Sequence, residues 1–279
     1  MQAVYLTSKC LARKAVRALE WEAKFSPKPG LVDSYSNGAH QNMTLDLFIR
    51  SAKSLEDSFY QMAENSRNLP LGIILRKKIG YIGRQAEKQM FFVTNGVNTH
   101  KGDIWLIGLL VSAVSHCQSV DYKNILEDAQ KLAQISDPFV PKNKTPTYGQ
   151  MAKDKYAFSG ARGEAQNGFP NLKLALKIAS QNNFVDKNIW LKILLSLYSK
   201  VDDTNIVHRS NLKVLRYFQK LSRNILESNL KIIKNPKFKQ LDDFVMKKYI
   251  SPGGSADLFS ACYFLVHLKM EKQNGKIII

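Results

Sequence analysis

The stretch Ile104-Trp-Leu-Ile-Gly-Leu-Leu-Val-Ser-Ala-Val-Ser-His-Cys117 decides how the rest of the chain is read. It is apolar on nearly every side of a helical wheel, so it predicts a central helix sheathed by its neighbours. Its longest apolar run, Ile104 to Val114, falls well short of the ~20 residues that span a bilayer. Outward from it, Leu45, Phe48, Ile49, Ala52, Leu55, Phe59 and Met62 recur at intervals of three and four. That is one stripe of a helix, and Thr44 is placed to cap it. Similar spacing predicts helices over about 8–24, 70–92, 124–135, 171–181, 187–199, 205–228 and 237–249, with a second largely apolar helix over about 256–270. No alternating strand, no hairpin dipeptide between β-rich runs and no repeat of fixed period is visible. An all-α fold is expected, as a single compact multi-helix domain over residues 1–279. The segment from Asp137 to Thr147, with Pro138, Pro141 and Pro146, has the composition of a linker, but the helices on either side look interdependent.

Composition narrows the function classes. At 44% hydrophobic and 23% charged residues, the 279-residue chain has a globular balance and not a disordered one. The N-terminus lacks the apolar centre of a secretory signal. Cys10, Cys117 and Cys262 are far apart and show no paired metal-binding spacing. Reduced thiols and a cytoplasmic location are expected. Lys plus Arg exceeds Asp plus Glu by 41 to 23, a formal charge of +18. Such a surplus suits nucleic acid, an anionic membrane or a polyphosphate ligand. Only 10 of the 41 basic residues are Arg, and the lysines are spread over most predicted helices. This weakens the nucleic-acid reading, since phosphate and base recognition lean on arginine forks.

The connections carry the chemistry. Five of them are dense in Gly, Pro, Asp, His and basic side chains. These are Ser26-Pro-Lys-Pro-Gly-Leu-Val-Asp33 with Asn37-Gly-Ala-His40, then Asn95-Gly-Val-Asn-Thr-His-Lys-Gly-Asp103, and Gly160-Ala-Arg-Gly-Glu164 with Gly168-Phe-Pro170. The others are Asp202-Asp-Thr-Asn205 with Arg209, and Ser251-Pro-Gly-Gly-Ser-Ala-Asp257. Four of the five precede or open a helix, where unpaired N–H groups and the helix dipole favour an anion. Any one loop is explained by ordinary capping. A cap needs one polar residue, however, whereas these loops supply carboxylate, cation and glycine together. Gly/Pro-rich loops at helix N-termini are therefore expected to form one active site. The carboxylates Asp33, Asp103, Glu164, Asp203 and Asp257 are hard oxygen ligands suited to Mg²⁺, which takes one or two from the protein when phosphates supply the rest. The surplus leaves groups for proton transfer and for stabilising a cation. His40 and His100 lie in the loops and are candidates for substrate contact. His116 and His267 lie on apolar helices and read as core or surface residues, and His208 fits either role. The Walker, Gly-x-Gly-x-x-Gly and His-Glu-x-x-His signatures are absent.

Lys28-Pro-Gly-Leu-Val-Asp33, Gly38-Ala-His40, Gly96-Val-Asn-Thr-His-Lys-Gly102, Gly160-Ala-Arg-Gly-Glu164, Asp203-Thr-Asn205 and Ser251-Pro-Gly-Gly-Ser-Ala-Asp-Leu258, in this order, resemble the motifs of the triphosphoribosyl-dephospho-CoA synthase family. The resemblance runs from about residue 10 to 270. It implies an all-α, Mg²⁺-dependent transferase that joins ATP to 3′-dephospho-CoA and releases adenine. The product is the prosthetic-group precursor for the acyl carrier protein of citrate lyase or malonate decarboxylase. The family pattern has an aspartate where this chain has Asn42, a glycine near Asn95, and glycines where Ser210 and Asn211 follow Arg209.

The chemistry fits the residues. Attack of a ribose hydroxyl on C1′ of ATP passes through a positively charged sugar, which a carboxylate stabilises, as in glycoside cleavage. A second carboxylate accepts the hydroxyl proton. Asp203 or Glu164 is expected to be that acceptor, with His100 and His40 beside the reacting groups and Asp33, Asp103 and Asp257 near the metal. Lys28, Lys101, Arg162 and the Gly253-Gly254-Ser255 turn are expected to hold the triphosphate, and Arg209 or Lys173 the diphosphate of dephospho-CoA. Two alternatives stand beside this reading. One is a related nucleotide-dependent ribosyl transferase or hydrolase with another acceptor, and the other is a basic helical nucleic-acid-binding protein.

Overall fold

In the computed structural model, residues 6–140, 148–158, 160–268, 271–273 and 276–278 are described. The stretch read first becomes α5 (Lys101–Cys117), which is buried almost without interruption from Asp103 to Ser115. A helix apolar all round must be covered all round. Around it lie α1 (Ser8–Lys24), α3 (Glu56–Asn68), α4 (Ile73–Val93), α6 (Tyr122–Gln134) and α14 (Gly253–Val266), all of which pack on it. Of its two buried serines, Ser115 donates Oγ to Ala63 O of α3 at 2.6 Å, whereas Ser112 Oγ has no partner among the described residues. A second layer extends the same core: α9 (Pro170–Ser180) and α10 (Lys187–Lys200) pack on α14, and α12 (Leu212–Leu226) packs on α10. One cluster of buried side chains runs from Leu6 to Leu268, including Leu110 in α5, Leu194 in α10 and Phe264 in α14. The all-α expectation holds over this core.

Two predicted helices are each divided. The stripe from Leu45 to Met62 forms α2 (Leu45–Ser54) and α3, broken at Leu55. There the Leu55 N–H donates to Ala52 O at 3.2 Å, an i−3 bond that tightens the last turn of α2. Leu55 keeps helical dihedrals and is fully buried, so the apolar stripe continues through the break. The span 205–228 forms α11 (Thr204–Arg209) and α12, because Ser210 leaves the helical region (φ −148°, ψ −108°) and Asn211 starts a new helix. Asn211 Oδ1 accepts from Val214 N at 3.0 Å, which is the service of an N-cap residue. Glycine at these two positions would supply no such cap.

Other elements were not read in the sequence. They are α7 (Tyr148–Tyr156), α8 (Gly160–Gln166) and a short antiparallel pair, β1 (Glu271–Gln273) and β2 (Lys276–Ile278), in register Glu271 to Ile278. The remaining helix, α13 (Pro236–Lys247), is capped by Asn235 Oδ1. The linker-like segment opens on an anchored residue. Asp137 is buried, accepts from Arg84 Nη1 at 2.6 Å and lies 3.7 Å from Arg76 Nη1. That ties it to α4, and residues 141–147 of the segment lie outside the described residues. Among the described residues no single helix is long and apolar enough to cross a membrane.

Candidate active site

The first loop folds around a buried ion pair. Lys28, 3% exposed, puts Nζ 2.5 Å from Glu22 Oε1 and also donates to the Glu22 carbonyl. Glu22 sits on the buried face of α1 together with Leu19 and Ala23. Burial raises the Glu22 pKa and lowers that of Lys28, and the short pairing opposes both shifts. Asp33 closes the turn. Its Oδ2 accepts from Lys28 N at 2.9 Å, and Oδ1 accepts from Tyr35 N at 2.7 Å and Ser36 N at 3.0 Å. Gly30, at φ +82°, presses this loop against the start of the last motif. A Cβ there would lie 2.9 Å from Ile250 O, so a side chain would be both strained and obstructed.

The second and last loops meet at a pair of carboxylates. Asp103 in the first turn of α5 and Asp257 in the second turn of α14 share a hydrogen bond. Ser260 Oγ also donates to Asp103 Oδ1. Burial raises the Asp103 pKa to about 7, and burial together with the neighbouring Asp103 raises that of Asp257 well above the usual range. Gly102 makes this approach possible, since a Cβ on it would fall 1.8 Å from Asp257 Oδ2. The fields of Lys28 and Glu22 reach Asp103, and those of Glu22 and Asp203 reach Asp257. One buried lysine thus faces a group of carboxylates drawn from α1, α5, α14 and the turn before α11.

The third and fourth loops line a cleft of about 180 Å³ with Glu164, Asp203, Thr204, Gly254, Asn171 and Lys200 on its wall. Glu164 caps α9. Its Oε1 accepts from Asn171 N at 2.8 Å and Leu172 N at 3.1 Å, while Oε2 accepts from Asn171 Nδ2 at 2.8 Å. Asp203, 1% exposed, caps α11 through Oδ1, which accepts from Asn205 N at 3.0 Å and Ile206 N at 3.4 Å. Its Oδ2 accepts from Ser255 N at 3.1 Å and so clamps the start of α14. Burial raises the Asp203 pKa to about 6 and raises that of Glu164, against these hydrogen bonds. The Gly253-Gly254-Ser255 turn was expected to receive triphosphate. Its N-terminal charge is already met by Asp203, whose carboxylate takes N–H groups of both Gly254 and Ser255.

The other expected residues are placed as follows. His40 bonds Ser251 Oγ at 2.9 Å through Nε2 and faces Arg209 Nη2 at 3.2 Å through Nδ1. Burial and the Arg209 charge lower its pKa to about 4. Arg209 also donates to Ala39 O at 3.2 Å, so it holds the first loop to the fourth. His100 is 1% exposed, with Nδ1 2.9 Å from Ser51 Oγ. Its buried Nε2 has no partner among the described residues. Burial and the Lys28 charge lower its pKa to about 3, so it is a neutral imidazole. Lys101 pairs with Glu87 at 3.0 Å and remains partly exposed. Arg162 is exposed on α8, outside the cleft wall. Asn42 is exposed, and Asn95 takes φ +52°, a left-handed conformation that asparagine tolerates better than most residues.

The site also contains residues that the loops alone did not suggest. Glu22 lies inside a helix, and its one signal is a carboxylate on the apolar stripe of α1. Lys200 and Asn171 sit at helix ends beside the motifs. Among the described residues no group of three or more His, Cys, Asp or Glu side chains forms a ready cation cage. Mg²⁺ does not need one, because it binds through one or two carboxylates and completes its shell with water and phosphate oxygens. Asp103 and Asp257 fit that requirement: two hard carboxylates in contact, whose mutual repulsion a divalent cation would relieve. Asp33, also expected near the metal, spends both oxygens on the turn that it closes.

All five loops therefore converge through shared contacts and walls. The sequence is similar to the 2-(5″-triphosphoribosyl)-3′-dephosphocoenzyme-A synthase of Klebsiella pneumoniae, at 38% identity over 262 residues, covering 91% of this chain and 93% of that protein. It is similar to the enzyme of the same name from Haemophilus ducreyi, at 36% identity over 294 residues, covering 95% and 90%. No solved structure matches. The profile of the ATP:dephospho-CoA triphosphoribosyl transferase family matches residues 8–276, and the chain belongs to that family.

Proposed function

We propose that the protein transfers the triphosphoribosyl group of ATP to the ribose 2′-hydroxyl of 3′-dephospho-CoA and releases adenine. We further propose that the product is the prosthetic-group precursor for the acyl carrier protein of citrate lyase or malonate decarboxylase. The free Cys10, Cys117 and Cys262 suit a reducing, cytoplasmic setting. The observation that carries the reading is the meeting of five loops around two functional zones, an acidic cleft and a paired-carboxylate site.

In the transfer, the C1′–N9 bond of ATP breaks and a C1′–O2′ bond forms. Adenine leaves with the bonding electrons and takes up a proton, and the 2′-hydroxyl gives one up, so the transfer is proton-neutral overall. Glu164 suits the acceptor role: its Oε2 takes one hydrogen bond, from Asn171, and it lines the cleft, with a pKa raised towards the working range. Asp203 is held rigidly by its N–H partners and suits electrostatic stabilisation of the developing sugar cation. Lys200 at the cleft wall is placed for an anionic group. Asp103 and Asp257 would hold Mg²⁺, which when bound supplies charge neutralisation for a triphosphate. Lys28, paired with Glu22, positions the first loop and fixes the field at the carboxylates.

The test is chromatography of adenine released from ATP plus 3′-dephospho-CoA with Mg²⁺, together with mass spectrometry of the product. A product heavier than dephospho-CoA by one triphosphoribosyl unit is expected. Glu164→Gln should lower the rate by roughly 10²–10⁴-fold, the usual worth of a general base. Wild-type rates in folded Glu164→Gln would remove the assigned acceptor, and adenine release that ignores dephospho-CoA would replace the acceptor substrate.

A further inference from the structure

A second concavity, of about 310 Å³, lies between α6 and α9. Its floor is apolar, made by Leu126 and Leu176 with the ring of Tyr122, and Lys123, Lys173 and Lys177 stand on its rim. Glu127 is the one acidic residue among those lining it, so the groove carries a net positive charge. On α9, residues 173, 176, 177 and 180 follow the three-and-four spacing of a single helix face. At ~1.5 Å of rise per residue, Lys173 to Ser180 spans roughly 10 Å.

The groove and the acidic cleft share one wall element, α9. Pro170 and Asn171, at the start of α9, line the cleft, and Lys173 stands one turn further on as the first groove residue of that helix. The charge of Lys173 acts on Glu164, which belongs to the cleft wall. A ligand leaving the cleft along α9 therefore meets Lys173 first, at the near end of a trough floored by Leu126, Leu176 and Tyr122 and edged by Lys177. This pairing of cations with an apolar trough matches one half of the proposed acceptor. In 3′-dephospho-CoA the adenosine carries a diphosphate, followed by an uncharged, flexible pantetheine chain. Neither a nucleoside triphosphate alone nor a nucleic-acid backbone ends in such a chain.

We infer that the groove between α6 and α9 is the subsite for the pantetheine diphosphate arm of the acceptor, with Lys173 and Lys177 at the diphosphate and Leu126, Leu176 and Tyr122 along the chain. The assignment rests on the transferase reading proposed above and extends it to the acceptor specificity. Recognition of the arm away from the reacting ribose explains how the protein tells its acceptor from ATP, which carries the same adenosine. Binding energy from such a remote part positions the 2′-hydroxyl.

The experiment uses the full chain and exposed positions. Ser180→Trp places an indole across the outer end of the trough, and the pair Lys173→Glu with Lys177→Glu reverses the rim charge. KM for 3′-dephospho-CoA should rise at least fivefold in both, with KM for ATP and the melting temperature unchanged. 4′-Phosphopantetheine, which has the arm and one phosphate but no adenosine, should compete with dephospho-CoA in the wild type and lose potency in Ser180→Trp. An unchanged KM for dephospho-CoA in both variants overturns the assignment, as does an equal rise in both substrates' KM. If the wild type releases no adenine from the substrate pair, the transferase reading fails separately. Calorimetric titration with 4′-phosphopantetheine then decides the groove: binding by the wild type that Ser180→Trp abolishes supports it, and absence of binding rejects it.

Discussion

Gly102→Ala adds one methyl group where the structure has no room for it. The new Cβ would lie 1.8 Å from Asp257 Oδ2 and 2.5 Å from its Cγ, so the carboxylate must leave its place and the geometry of its contact with Asp103 changes. Two opposing terms set the effect on stability. Alanine in place of glycine in α5 gains up to ~1 kcal/mol of helix propensity, whereas crowding a packed site typically costs about 1–3 kcal/mol. The net loss is therefore expected at roughly 0–3 kcal/mol. For a chain of this size each kilocalorie is a shift of a few degrees, since ~1 kcal/mol moves Tm by about 2–4 °C in domains of 150–250 residues. Activity should respond far more. A displacement of about 1 Å in a reacting constellation lowers rates by roughly 10²-fold, and the Mg²⁺ concentration giving half-maximal adenine release should rise with it.

The assay is adenine release as a function of Mg²⁺, with thermal melts of the same samples. Gly83→Ala in α4 is the matched control, because its added Cβ meets Met62 Cε at 3.6 Å and Ile104 Cγ2 at 4.0 Å, ordinary packing distances. That variant should be as stable as the wild type or slightly more so, with unchanged kinetics. A Gly102→Ala protein with a wild-type rate and Mg²⁺ dependence would refute the role given to the Asp103–Asp257 pair.

The buried Glu22–Lys28 pair should show strong coupling. Glu22→Gln or Lys28→Met alone strands a buried charge and should cost about 3–5 kcal/mol, while the double variant should lose much less than the sum in urea titrations. Additive losses would mean that the two residues act independently. Stability should also depend on pH through Asp203, whose pKa rises from 3.8 to about 6 on folding. The folded state holds that proton more tightly, so the contribution is complete below pH 3.8 and is lost as pH rises through about 6. Relative to Asp203→Asn, the wild type should lose up to about 3 kcal/mol between pH 4 and pH 7, and parallel urea midpoints across that window would contradict the assignment.

The sequence made the core legible because α5 has no polar face to mislead the eye, and because the stripes of α1, α6 and α12 repeat at helical spacing. The helix breaks were less visible. Leu55 leaves no compositional mark, since a single i−3 bond bends the chain without a glycine or proline. Asn211 did leave one, as a capping residue inside an apparent helix. The site was legible as a set of loops but not as a set of roles. Glycine and aspartate beside a helix start mean either capping or ligand binding, and in Asp203 and Glu164 one carboxylate does the first while lining a cleft suited to the second. Lys28 illustrates the opposite case. Its place among glycine and proline suggested an anion-binding loop, but only the fold reveals Glu22 waiting one helix earlier to pair with it.

The distribution of charge ties these parts together. The chain carries +18 overall, yet Glu22, Asp103 and Asp203 are buried and their charges all act on Asp257 of α14, with Lys28 as the buried ammonium that pairs with Glu22. A polyphosphate drawn in by the basic exterior would be repelled by such an interior, unless a cation stood between the two. The N-terminus of α14 does not remove this repulsion, because Asp203 already takes its N–H groups. Clamped carboxylates at helix starts keep each loop in one geometry, whereas the Asp103–Asp257 contact is held together against its own repulsion by a proton or a metal ion. Of the carboxylates in the site, this is the pair whose state a divalent cation changes most. The site should accordingly lose its affinity for triphosphate when Mg²⁺ is removed, even though no basic residue has changed. Calorimetric titration of ATP with and without chelator measures that difference directly, and equal affinities would show that lysine and arginine alone hold the nucleotide.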